Sequence, residues 1–98
     1  MERDEIAKIS IDESHRLIIK PKTKQFPYIY REAMEVHWDS NGLFLYSPPP
    51  REWSYLRWFE QIINAAREQF CQLYISDNTQ WKGIPDDLRD EIIQWLLK

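Results

Sequence analysis

The chain has 98 residues, 43% hydrophobic and 30% charged, a size that suits one domain and leaves no core for a second. A net charge of −3 argues against a dedicated nucleic-acid binder, the lone Cys71 excludes an internal disulfide, and no apolar run approaches the roughly 20 residues of a membrane span. With no signal peptide at the acidic start MERDEIAKIS, a reducing cytoplasm is the expected location.

The chain opens with strands. Ala7, Ile9 and Ile11 alternate with Lys8, Ser10 and Asp12, and a polar turn over 12–15 leads into a second strand, RLIIKP. Pro21 ends that strand or places it at an edge. From Arg16 to Arg31 five cations (Arg16, Lys20, Lys22, Lys24, Arg31) occur without an acid, which reads either as a solvated edge or as a weak phosphate or nucleic-acid surface. A short helical turn is expected from Pro27. Met34, Val36 and Trp38 then alternate with Glu35, His37 and Asp39, and Asn41-Gly42 predicts a tight hairpin turn with positive φ, closed by LFLYS. Pro48 to Pro50 stop the ladder, because none has an N–H to donate.

A long helix is predicted from near Arg51 to Phe70, with Tyr55, Leu56, Phe59, Ile62, Ile63, Ala66 and Phe70 on one apolar stripe. CQLYIS reads as one more strand, with Cys71 as a small core residue, and DNTQWKG as a loop carrying Trp81. The last helix opens at Pro85 with Asp86 and Asp87 in its first turn, where carboxylates complement the helix dipole. Its stripe is Leu88, Ile92, Trp95 and Leu96, while Ile93 and Leu97 widen the apolar arc and suggest self-association or a protein partner. The fold class is α+β: a mostly antiparallel sheet of four to five strands, two hairpins plus a later strand, packed on two helices.

Candidate chemistry is sparse. Gly42 and Gly83 are the only glycines, which excludes a P-loop and a dinucleotide fingerprint, and no CxxC, HExxH or GxSxG occurs, so no cofactor or metal is implied. Glu35, His37 and Asp39 would share a strand face, where two carboxylates could tune an imidazole for acid–base work or begin a metal site with His15. An exposed polar row would look the same.

Five tryptophans are hard to bury in so small a volume. In SPPPREWSYLRWF, Trp53 either stacks on the proline segment or, with Trp58, Tyr46 and Arg51, rims a groove for a flat or apolar ligand, Arg51 and Arg57 anchoring a carboxylate. Trp81 is a further ligand candidate or a plug over the core.

The stretches FPYIYREAMEVHWD, SPPPREWSYLRWF followed by NAAR, and Thr79 to Pro85 (T-x-W-x-x-IP) resemble small uncharacterised proteins encoded by mobile integron gene cassettes. The resemblance covers most of the chain beyond Leu17 and implies a cytoplasmic bacterial α+β protein, with no functional residues to carry over. The residues favour a non-enzymatic binding protein: self-association plus a protein partner or a small apolar or anionic ligand. A small enzyme built on His37 is the alternative, and a nucleic-acid binder built on residues 16–31 the third reading.

Overall fold

The computed structural model describes residues 1–97. Two antiparallel strands, β1 (Glu2–Ile11) and β2 (Leu17–Pro21), form the centre of the sheet, with Ile9 opposite Ile19 and Ile11 opposite Leu17. The β3 (His37–Asp39) and β4 (Phe44–Tyr46) hairpin extends it through β4 against β2. A 3-10 turn at Ile29–Arg31 follows Pro27 as the sequence suggests. The α1 helix (Tyr55–Glu68) lies on the sheet and α2 (Asp86–Leu96) packs beside it.

The α+β class and the mostly antiparallel sheet hold, with three antiparallel ladders, but the sheet has six strands and is mixed, because two further ladders are parallel. The other edge of β1 carries two short parallel strands placed end to end: β5 (Cys71–Tyr74) beside residues 2–5, and β6 (Gln80–Lys82) beside residues 8–10. Trp81 is therefore on a strand, not in a loop. Thr79 bridges the junction: its hydroxyl donates to the Ile6 carbonyl at 2.7 Å and accepts from the Ser76 amide at 3.0 Å. A ladder carbonyl without a strand partner is satisfied in this way. The β1–β2 register shifts between Ile6 and Lys8, so Ile6 and Ile9 are both fully buried although three residues apart.

Ile6, Ile9, Leu17, Ile19 and Leu45 from the sheet meet Phe59, Ile62 and Ile63 from α1, all without solvent exposure. The helix is shorter than its stripe predicts. Ser54 caps it, accepting from the Arg57 amide at 3.2 Å, and the backbone turns left-handed at Phe70 (φ 63) just beyond its end.

The β3–β4 turn also differs from expectation, since positive φ falls on Leu43 and not on Gly42. The Asp39 carboxylate accepts from the Asn41 and Gly42 amides, and the Phe44 ring occupies the space a Cβ at 42 would take. Gly83 does need its conformational freedom: φ is +70, and an added Cβ would stand 3.1 Å from the Ile11 carbonyl oxygen. Gly83→Ala is expected to cost about 1–2 kcal/mol, read as a lower midpoint in urea unfolding. An unchanged midpoint would show that the turn after β6 relaxes freely.

Candidate functional site

The SPPPREWSYLRWF stretch is fixed at both ends. Ser47 is fully buried, donates its amide to the Leu17 carbonyl at 3.1 Å, and accepts the Leu17 amide on its hydroxyl at 3.2 Å. Three prolines then carry the chain off the sheet in a stiff segment, and Ser54 starts α1. With Ser54 as cap, Trp53 precedes the cap and Trp58 is the fourth helical residue. Their rings meet at 4.7 Å with an interplanar angle of 48°. This contact is a hydrophobic staple, which sets the angle at which the chain joins the helix. Trp58 is buried, Trp53 is half-buried, and the Arg57 guanidinium lies 4.8 Å from the Trp53 ring.

The staple borders a cavity of about 250 Å³. Its apolar lining is Pro48, Pro49, Trp53 and Trp58, and its charged lining is Arg51, Glu52 and Glu35. The structure thus brings Trp53, Trp58 and Arg51 together. Arg57 is committed to the Trp53 ring, and Tyr46 stands elsewhere, under Arg16 at 4.6 Å and beside His37 at 5.2 Å. Trp81 packs half-buried against the core with Arg89 over it at 5.0 Å. Two lining residues escaped the sequence reading as ligand contacts: Glu52, which carries no pattern of its own, and Glu35, which strand alternation assigned to a different row.

That row is not assembled. Strand β3 begins only at His37, so Glu35 lies in the preceding turn. Asp39 is engaged with the turn amides, and His37 is exposed against Tyr46. No hydrogen bond joins His37 to either carboxylate among the described residues. Nor do three His, Cys, Asp or Glu side chains among them gather closely enough to hold a metal ion. Burial, then the nearby Glu2 and Asp4 carboxylates, push the Cys71 thiol above its ordinary range, so it is no ready nucleophile.

The cations of residues 16–31 are largely engaged one by one. Arg16 pairs with Asp12 at 2.7 Å, Lys22 with Glu5 at 3.6 Å and Lys24 with Glu2 at 2.8 Å. Lys20 donates to the Gly42 carbonyl at 3.0 Å, and Arg31 lies 4.8 Å from the Tyr28 ring. Leu97 is 81% exposed and Ile93 half-buried, and both line a second concavity. No described helix is long and apolar enough to cross a membrane.

A family model described as Integron Cassette Protein Hfx_Cass5 matches residues 4–79. A solved structure of Integron Cassette Protein Hfx_Cass5, from the mobile metagenome of the North West Arm Sewage Outfall, is 45% identical to the chain. The alignment covers 100% of this chain and 99% of that one, with a TM-score of 0.50. No curated protein matches. The resemblance carried by FPYIYREAMEVHWD and SPPPREWSYLRWF is borne out at the level of the family.

Proposed function

The chain belongs to the Hfx_Cass5 integron cassette protein family, and from its site we propose a binding protein that takes a small flat or apolar molecule into the Trp53–Trp58 cavity. One observation carries this reading: a concavity of about 250 Å³ in which two indoles, held rigid by the staple, meet three charged groups. Sites that combine apolar walls with a few fixed polar groups are the usual form of a small-molecule pocket. The rim refines the ligand class. Two carboxylates, Glu35 and Glu52, stand against the single guanidinium of Arg51. An amine-bearing or zwitterionic aromatic therefore fits better than the carboxylate that Arg51 and Arg57 together would favour. Catalysis is not part of the proposal: among the described residues the cavity is lined by no thiol, hydroxyl or imidazole and by no metal-holding group.

Isothermal titration calorimetry with a matched pair, tryptamine against indole-3-acetate, tests the reading. Saturable binding of the amine is expected, weakened about fivefold in Glu52→Gln and abolished in Trp53→Ala, which should itself cost about 1 kcal/mol of stability. The proposal fails if neither probe saturates, or if Trp53→Ala binds as the native chain does.

A further inference from the structure

The second concavity, about 410 Å³, is walled by β5, the residue after it and the last turns of α2, and shares no lining residue with the tryptophan cavity. Its charge is the reverse of the first. Arg3 and Arg67 line it and no acid does. Among the described residues neither guanidinium has a carboxylate within ion-pair distance. Both are held by uncharged groups instead. Arg3 stacks on Tyr74 at 4.8 Å. Arg67 donates from Nε to the Gln72 carboxamide oxygen at 2.7 Å and from Nη1 to Asn64 at 3.3 Å, which leaves Nη2 for a further acceptor. Gln72 is also the register partner of Arg3, so the two cations gather around one side chain.

The rest of the wall is aliphatic. Ile75, Ile93 and Leu96 are half-buried and Leu97 is largely exposed, with Ile93 and Leu97 one helical turn apart. Tyr74, the one aromatic residue in the wall, already carries Arg3 on its ring. Main-chain pairing is not on offer: Cys71 and Leu73 are wholly buried, and the Leu73 carbonyl accepts from the Gln72 carboxamide at 2.9 Å. A ligand here is recognised by its charge and its apolar body, not by peptide groups.

We propose that this cavity binds a small aliphatic carboxylate of the short- or medium-chain fatty acid type, its head on Arg3 and Arg67 and its tail along Ile93, Leu96 and Leu97. The volume is that of a small-molecule site. A guanidinium already held by a ring or an amide oxygen takes up a carboxylate with little further ordering, through charge-assisted hydrogen bonds. The absence of any acid in the wall sets the sign of the ligand, and the absence of a free ring favours an alkyl tail over a flat one. The site is independent of the tryptophan cavity and stands if that reading fails.

The test is a titration of the full chain with octanoate, followed by the NMR shifts of its backbone amides. Saturable shifts are expected at residues 72–75 and 93–97, with none around Trp53 and Trp58. Affinity should rise about threefold per added methylene from butanoate to octanoate, a dependence that attraction between charges alone does not produce. Octylamine, with the same tail and the opposite charge, should bind at least about tenfold more weakly. Arg67→Gln, which removes the charge at an exposed position, should weaken octanoate about tenfold or more. Leu97→Asp, which breaks no hydrogen bond of a side chain, should do the same through the tail. The proposal is overturned if octanoate does not saturate, if the chain-length series is flat, if octylamine binds as well, or if either variant binds octanoate as the native chain does.

Discussion

Phe59→Ala is expected to cost about 3–5 kcal/mol, a large share of the roughly 5–15 kcal/mol that a domain of this kind has to lose. Phe59 is fully buried under the sheet and meets Trp95 edge to face at 6.0 Å. Its removal leaves a cavity between two helices and a sheet whose other members, Ile62, Ile63 and Ile19, are β-branched and adjust little. Phe70 is the informative control. It lies on the same helical projection as Phe59, yet it is 76% exposed and sits at φ 63, beyond the end of α1. Phe70→Ala should change stability by no more than about 0.5 kcal/mol. Phe70→Gly should stabilise by about 1 kcal/mol, because glycine adopts the left-handed conformation without a Cβ penalty. Thermal melts of the three variants decide the matter. Equal losses at 59 and 70 would mean that the helix continues to Phe70 and that this ring is core.

The same pair of residues shows what the sequence can convey. Periodicity reports which side chains would share a face if the element continued, and it carries no mark of where the element stops. The legible elements are those with a local physical signal: the β1–β2 strands, the prolines that break the ladder and the acid-rich start of α2; the Ser54 cap is not among them, since the apolar stripe alone places the start of α1 near Arg51. Strand β6 had no such signal. It is three residues long, polar at both ends, and its pairing to β1 depends on the Thr79 side chain filling a gap in a ladder some seventy residues away in sequence. The tryptophan cavity was half legible. The apolar members follow from composition and spacing, but the Trp53–Trp58 contact is invisible to a helical projection because Trp53 precedes the cap. Glu35 joins the cavity only because the chain turns before β3, whereas strict alternation would carry it along the strand towards His37 and Asp39.

The other large effect is expected at Asp4, through pH. This residue is 7% exposed on β1 and holds down the chain that leaves β2. One carboxylate oxygen accepts from the Thr23 amide at 3.0 Å and the Lys24 amide at 2.8 Å, and the other from the Thr23 hydroxyl at 2.8 Å. Burial alone would raise its pKa. The Lys24 and Thr23 donors outweigh burial and hold it below the ordinary 3.8. In the interval between the folded and unfolded values the unfolded chain binds more protons, so stability rises with pH there. The contribution is full above the ordinary carboxyl value and is lost as the pH falls through the folded one. Asp12, held low in the same way by Arg16, adds a loss of the same sign. Asp4→Asn separates charge from geometry. Its amide oxygen can still accept both backbone amides, and the Thr23 hydroxyl can reverse and accept from the new NH₂ group. At neutral pH this variant should lose about 1 kcal/mol, whereas Asp4→Ala, which strands three donors, should lose about 3 kcal/mol. On acidification the native curve should descend to meet the Asp4→Asn curve, because the asparagine has no proton to gain. If the two curves stay parallel into acid, the three donors hold the side chain in place without favouring its charged form.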